Sequence, residues 1–365
     1  MPKNHLVLAV AGSRKTQGIV DACAAAPIDE RILVLTYTTA NQEELRHRLS
    51  RQAGDHPHIE VSGWFAFLIG QFVRPFLPML YRNRRVEGFD FLSKPQRYAK
   101  TSDWSRYFND QNQVRKVHLP QLAILINEAS EQLCIRRLER LYDHIFIDEA
   151  QDLCGYDLDI LQLLMGSSLP LEMVGDIRQA ILATNAQEPR NKQFKFTNIL
   201  NWFIAEQKAG RVTIEQRCET WRCGAGIAKF ADTLFDPKWG FAPTVSLNTI
   251  RTTHDGVFLV ATPDVEAYVA AFSPMVLRHS KSSWTMLNHL DCITFGDAKG
   301  LSAKHVLIAP TTAITGFIEK GAPLAASQAA RFYVAVTRAE QSVAIITDRP
   351  GQSRIPYWSA TNPGT

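Results

Sequence analysis

Short apolar runs recur along the chain, and each stops abruptly at polar residues. Leu6-Val7-Leu8-Ala9-Val10 gives way to a turn of small residues, and a helix opens near Lys15. Arg31 to Tyr37 is a second buried-type run, leading into Asn41–Leu49, whose charges lie on one face. His144-Ile145-Phe146-Ile147 ends in Asp148-Glu149, and Leu171-Glu172-Met173-Val174 ends in Gly175-Asp176. Apolar strands alternating with helices predict an α/β fold with a parallel sheet. Ligands on such sheets bind at the carboxyl ends of the strands, where all four runs carry their most polar residues.

Two further stretches organise the rest. Between about Gly70 and Leu138 the chain turns aromatic and basic, as though inserted into the first α/β unit. From about Glu215 a second α/β segment begins, with strands expected at Gly256–Val260, His305–Ile308 and Ser342–Ile346. A length of 365 residues suits two or three compact domains. The net charge of +4 permits nucleic-acid binding without demonstrating it. Six cysteines occur with no CxxC pair, which reads as reduced thiols and makes a metal site built on them improbable. No apolar run approaches the roughly 18 residues of a membrane span, and the first fifteen residues lack a secretory pattern. A cytoplasmic protein is the expectation.

Val10 to Thr16 reads V-A-G-S-R-K-T. A phosphate-binding loop, G-x-x-x-x-G-K-[ST], wraps backbone N–H groups around phosphates, with Lys on the β/γ oxygens and Thr on Mg²⁺. Lys15 and Thr16 fit it, while Val10 and Arg14 stand where glycines belong. A plain strand-to-helix turn is the alternative for this loop taken alone. In H-I-F-I-D-E-A-Q-D, Asp148 and Glu149 sit at a strand mouth, suited to Mg²⁺ capture and to orienting an attacking water. An acidic pair serving a helix dipole is the bland alternative.

D-E-A-Q-D resembles motif II of the UvrD/Rep-like superfamily 1 DNA helicases, and the family's other motifs follow in order. Leu33 to Leu49 is similar to motif Ia, which implies that Thr36, Tyr37 and Thr38 touch the nucleic-acid backbone. Val174 to Gln179 resembles motif III, with Gln179 as γ-phosphate sensor. Thr220-Trp221-Arg222-Cys223 resembles motif IV and makes Arg222 a γ-phosphate contact. Thr294 to Leu301 resembles motif V. Tyr333 to Ala339 resembles motif VI, with Arg338 as its arginine finger. Fixed, always-charged guanidinium forks suit the charge that spreads over γ-oxygens during phosphoryl transfer.

The resemblance implies two RecA-like P-loop domains with ATP in the cleft between them, and a helical 1B-like insertion. Domain 1A would be 1–69 and 139–214, the insertion 70–138, and domain 2A 215–365. It implies an ATP-dependent translocase or helicase on single-stranded DNA, RNA being the lesser expectation. Glu149, Gln179, Arg222 and Arg338 would be catalytic. Gly12, Ser13, Arg14, Lys15, Thr16 and Asp148 would hold ATP, with Thr16 and Asp148 on Mg²⁺. The chain departs from the family where the adenine-reading glutamine motif should precede Leu6, where Leu182 replaces a stacking aromatic, and where Ser302 replaces a Glu. The motif IV to V segment is short, so a large 2B domain is not expected. Trp64-Phe65-Ala66-Phe67-Leu68 looks like a compact branch, some of whose members act beside a nuclease in phage defence.

Between Arg74 and Lys116 stand ten lysines and arginines against four acids, interleaved with aromatic rings. Cations that track phosphates beside rings that stack on bases describe a single-strand groove, with Trp64, Arg82, Arg84 and Arg85 as contacts. A small domain with its own aromatic core and a solvated basic face is the alternative. The rival to a motor is a nucleotide-binding switch or scaffold subunit with weak or absent ATPase activity, motivated by Val10, Arg14 and the absent adenine motif. A phosphate-loop kinase is disfavoured by the motif VI arginine.

Overall fold

The computed structural model describes residues 3–360 apart from 55, 97 and 186. Arg97, one of the ten cations counted above, lies outside the described residues. The chain divides into two compact units. The first comprises the residues through Leu8, Lys15–Gly175 and Leu182–Glu215; the second comprises Ala9–Arg14, Asp176–Ile181 and the chain from Gln216 onward.

The first unit is built on strands β1 (His5–Ala9), β2 (Ile32–Thr36) and β3 (Ile59–Gly63). A small parallel pair, β4 (Gly88–Asp90) and β5 (Gln113–Arg115), stands apart, followed by β6 (His144–Ile147), β7 (Leu171–Gly175) and β8 (Thr213–Arg217). Their order is β3-β2-β6-β7-β1-β8. The pairs β1–β7, β7–β6, β6–β2 and β2–β3 are parallel. All five residues of β2 are buried, as a central strand covered on both faces requires. Because these strands run in parallel, the segments after β1, β2, β3, β6 and β7 leave the same edge. That edge holds Lys15, Tyr37, Trp64 and Asp148-Glu149.

Within 70–138 the chain is helical at both ends and irregular between. A π-helical segment, Leu68–Val73, joins the short helix Trp64–Phe67 to the helix Arg74–Leu80. The helix Leu119–Ala129 packs against the π-helical segment and the helix Arg74–Leu80, and the whole stretch belongs to the first unit. Tyr107 and Phe108 are buried, and Trp104 stacks on Phe108 at 3.6 Å. The aromatic residues therefore divide: these form a local core, while Phe91 and Tyr98 stay exposed.

The second unit adds a two-stranded pair, β9 (Glu219–Thr220) and β10 (Val245–Ser246). Its main sheet is formed by β11 (Gly256–Val260), β12 (Met275–Arg278), β13 (Cys292–Thr294), β14 (Ala303–Ile308), β15 (Ala339–Ile346) and β16 (Tyr357–Trp358). It is parallel, in the order β13-β12-β14-β15-β11-β16. The chain is thus α/β with two six-stranded parallel sheets, consistent with two RecA-like folds.

The core of the second unit encloses a histidine. His254 is buried between Phe258 and Phe272, at 4.1 and 3.9 Å, and its Nε2 lies 2.9 Å from the Tyr268 hydroxyl. Burial holds its imidazole down from 6.5 to about 4, with His305 reinforcing the shift and Asp255 opposing it. The neutral ring contributes stability that is complete above the unfolded value and vanishes as pH falls from 6.5 through 4. The urea midpoint should fall across that window. His254→Gln should lower the midpoint at neutral pH and also flatten its acid slope; an unchanged slope would show that His254 does not set it.

Candidate functional site

The carboxylate strand β6 and the loop strand β1 are not neighbours, because β7 lies between them. Two strand steps, about 10 Å, separate them, and the residues beyond their ends close the distance. Thr16 Oγ1 donates to Asp148 Oδ2 at 2.9 Å, and Lys15 Nζ pairs with Glu149 Oε1 at 2.9 Å. The structure therefore brings Lys15, Thr16, Asp148 and Glu149 together within the first unit.

These acids are expensive to hold. Both are buried, and burial followed by the neighbouring Glu149 pushes the Asp148 carboxyl up to about 6. Lys15 and the Thr16 hydroxyl oppose that shift. Glu149 has φ +57°, a left-handed backbone that bulky L-residues adopt only when their surroundings force it. Gln151 Nε2 donates to Glu149 Oε2 and fixes the other oxygen. Gly175 is what gives Gln151 room, since a Cβ there would lie 2.5 Å from Gln151 Oε1.

The residues present fit both Mg²⁺ and a triphosphate. A hydroxyl and a carboxylate already at hydrogen-bond distance form a hard-oxygen donor pair for a divalent cation. Ser13 in the loop is buried, and its Oγ has no hydrogen-bond partner among the described residues. A phosphate oxygen would satisfy it.

The loop itself belongs to the second unit. Counted back from Lys15, the first glycine of the loop pattern falls at Ala9, the last residue of β1, so the assignment of Val10 to that place is corrected. Gly12 has φ +75° and Arg14 φ +61°. Arg14 thus takes up the left-handed geometry that the missing glycine would have supplied, and its side chain turns outward. Its guanidinium lies 4.0 Å from the centre of the Trp221 ring, a stacking worth about 0.5–1 kcal/mol at a half-exposed site. Hydrogen bonds to the rest of the second unit hold the loop: Val10 N to Arg217 O (3.1 Å), Ala11 N to the Tyr333 hydroxyl (3.2 Å), the Thr220 hydroxyl to Ala11 O (2.7 Å), and Trp221 N to Gly12 O (3.0 Å).

Around this loop the second unit gathers the remaining polar groups. Arg338 is buried and donates to Val334 O, Leu301 O and Gln179 Oε1, at 3.0, 3.1 and 3.1 Å. Burial, then the neighbouring Arg222, lowers its guanidinium to about 10, so it stays charged at neutral pH. Gln179 donates in turn to Asp176 Oδ2 at 2.6 Å, and Arg222 donates to Thr337 O at 3.1 Å.

The expected nucleic-acid contacts are placed unequally. Arg82, Arg84 and Arg85 are exposed, with Arg84 4.9 Å from the centre of the Trp104 ring. Tyr37 is half-buried beside Phe65. Thr38 caps the following helix, accepting from Asn41 N at 3.1 Å. Thr36 is buried, and its hydroxyl has no hydrogen-bond partner among the described residues. Trp64 is buried, its indole N–H donating to Asp157 Oδ1 at 2.7 Å, so its ring offers no open face. Reading the sequence missed Lys116, whose Nζ stands 3.3 Å from the Tyr37 hydroxyl and within 5.8 Å of the ring centres of Tyr37, Phe65 and Phe91. It also missed Trp221 as the partner of Arg14, although T-W-R-C already draws attention to that segment.

Residues 83–193 match a family model, the UvrD/REP helicase N-terminal domain. The match includes Asp148, Glu149 and Gln179 but begins after Lys15 and Tyr37, and it covers less than a third of the chain. Over that stretch the chain is similar to the helicase domain of this family. No curated protein matches. Among solved structures, the chain is similar to the Arterivirus nonstructural protein 10 (helicase), in a complex with DNA. The identity is 16%, the TM-score is 0.46, and the alignment covers 94% of this chain and 60% of that one.

Gly12 provides a direct check on the loop. A Cβ there would lie 2.5 Å from Arg222 Cβ and 2.7 Å from Thr220 Oγ1, on a backbone already at positive φ. Gly12→Ala should destabilise the protein by on the order of 1–3 kcal/mol in chemical denaturation. A neutral effect would mean that the loop is not held as described.

Proposed function

We propose that this chain is an ATP-dependent translocase or helicase of the UvrD-like kind that acts on single-stranded DNA. The observation that carries this reading is the joined Lys15–Glu149 and Thr16–Asp148 pairs at the carboxyl edge of a parallel sheet. The match to the helicase N-terminal domain, which contains the acidic half of those pairs, supports it.

Mg²⁺ and ATP would supply the divalent charge and the phosphoryl group. Thr16 and Asp148 would hold the metal, and Lys15 with the loop's N–H groups at Gly12, Arg14 and Lys15 would bind phosphate oxygens. With Lys15 drawn onto phosphate, Glu149 Oε1 would accept a proton from water, while Gln151 keeps the carboxylate aimed. The helicase resemblance assigns Gln179, Arg338 and Arg222 to γ-phosphate charge, and within the second unit Gln179 and Arg338 are already hydrogen-bonded to each other. Arg82, Arg84 and Arg85 give the strand's phosphates an exposed cationic face.

A nucleotide-controlled switch is the second reading. It is favoured by one observation, an arginine at positive φ where the phosphate loop expects glycine. The outward stacking of Arg14 on Trp221 carries its guanidinium out of the loop and favours turnover. Partnership with a nuclease in defence would suit either reading and rests on analogy alone.

Phosphate release should be detectable, dependent on Mg²⁺, and stimulated more by single-stranded DNA than by single-stranded RNA or duplex. Lys15→Ala should abolish it, and Glu149→Gln should slow it at least ~10²-fold while nucleotide still binds. A silent wild type rescued by Arg14→Gly would establish the switch instead. Neutralising Arg82, Arg84 and Arg85 together should flatten the salt dependence of binding, by roughly 0.7 log units for each phosphate that no longer meets a cation. An unchanged slope would make that face merely solvated.

A further inference from the structure

Asp157 is a fully buried carboxyl in the first turn of the helix Tyr156–Gly166, five residues beyond the D-E-A-Q-D string. Burying an acid is costly unless both oxygens find partners. Here Oδ1 accepts from the Trp64 indole at 2.7 Å, and Oδ2 accepts from the Thr184 hydroxyl. No cation among the described residues pairs with it; burial accordingly pushes its carboxyl up to about 6. A well-packed apolar residue would fill this place more cheaply, so stability alone does not account for the acid.

What Asp157 does is tie three loops from one sheet edge together. Trp64 follows β3, Asp157 follows the carboxylate turn after β6, and Thr184 lies beyond β7. Thr184 reaches the carboxylate turn twice more. Its N–H donates to Asp152 O at 2.9 Å, and its hydroxyl accepts from Cys154 N at 3.2 Å. From Asp152 the contacts continue through Gln151 to Glu149. At the other end Trp64 is bonded in sequence to Phe65. The Phe65 ring packs on Tyr37 at 5.8 Å and on exposed Phe91 at 6.1 Å, with Lys116 Nζ 5.2 Å from its centre. One continuous series of contacts therefore runs from exposed Phe91 and half-buried Tyr37 and Lys116, through buried Phe65, to Glu149.

We infer that Trp64–Asp157–Thr184 is a positioning relay through which occupancy of the Tyr37–Phe65–Phe91–Lys116 face by a nucleic-acid strand sets the geometry of Glu149. The inference rests on the motor reading above. The element with two states is the turn Glu149–Asp152, whose left-handed Glu149 persists only while its neighbours hold it. A strand pressing on Phe91 and Lys116 shifts Phe65 and Trp64. The Asp157 carboxylate follows the indole and carries Thr184, and with it the Asp152 end of the turn. Asp157 and Thr184 touch neither nucleotide nor strand, so their replacement should leave intrinsic turnover intact and remove its response.

The experiment measures phosphate release with and without single-stranded oligonucleotide, together with oligonucleotide affinity, for Asp157→Asn, Thr184→Val and Thr184→Ser. Asp157→Asn and Thr184→Val should keep basal turnover and affinity within about twofold of wild type and reduce the stimulation roughly tenfold. Thr184→Ser, which keeps the hydroxyl, should retain it. The double variant Asp157→Asn/Thr184→Val should be no worse than either single, as for two links of one relay. Basal and stimulated rates falling together, or stimulation surviving in Thr184→Val, would overturn the relay. A wild type that turns over nucleotide without any stimulation would overturn it too, and one with no turnover would refute the motor reading itself. If Asp157→Asn melts below the assay temperature, the Thr184 pair decides the question alone.

Discussion

A strand lies between the loop after β1 and the acidic turn after β6, and the hydrogen bond from Thr16 to Asp148 reaches past it. Almost everything else in the first unit follows from that constraint. β7 must end in glycine because the D-E-A-Q-D turn folds over its end, where Gln151 lies against Gly175. Parallel strands are required so that the loop after β1 and the turn after β6 leave the same edge. The helix starting at Lys15 must begin at once, so that consecutive side chains reach two different acids. An edge arranged this way concentrates charge where the sheet can least solvate it, and Lys15 partly offsets that cost.

The second unit meets an analogous problem with cations. Arg338 is buried deeply enough for its pKa to fall, yet its donors are distributed over two carbonyls and Gln179. Guanidinium suits this role because its fork is planar and hard to discharge. Arg178, also buried, is pinned by Asp232, Thr244 and Ala242 O, and lies 4.8 Å from the centre of the Phe241 ring. Adjacent arginine and glutamine in Ile177-Arg178-Gln179 therefore divide the work: one anchors the segment and the other presents its amide to Arg338.

How much can be read from the sequence depends on whether the cause is local. β2, β6, β7, β11 and β15 are built on apolar runs, and periodicity alone finds them. β3 is Ile-Glu-Val-Ser-Gly on the sheet edge, with only its last residue buried, and its pattern is too weak to stand out. β12 follows a helix almost at once, with only Ser273-Pro274 to mark the boundary, and at four residues it is too short for its pattern to stand out. Lys15, Thr16, Asp148 and Glu149 are legible because their spacing is set by chemistry at a strand mouth. Asp157 is not, since an acid in a helix's first turn ordinarily faces water. Its burial depends on Trp64 and Thr184, neither of which is near it in sequence. Trp64 misleads for the mirror reason: a tryptophan beside basic residues looks like a stacking surface until its indole finds a buried acceptor.

The contacts of the loop 9–14 also impose an order of events on synthesis. Residues 9–14 leave the ribosome well before the groups that shape them, because Thr220, Trp221 and Tyr333 emerge some 200 to 320 residues later. At roughly 5–20 residues per second, tens of seconds separate the two. Lys15, Thr16, Asp148 and Glu149 can all be present while the loop preceding them still lacks its fixed curl. A nascent chain cannot therefore fix the curl of this loop early. Long-range closure of this kind is slow, and it makes the ordered loop a report that translation has passed Tyr333.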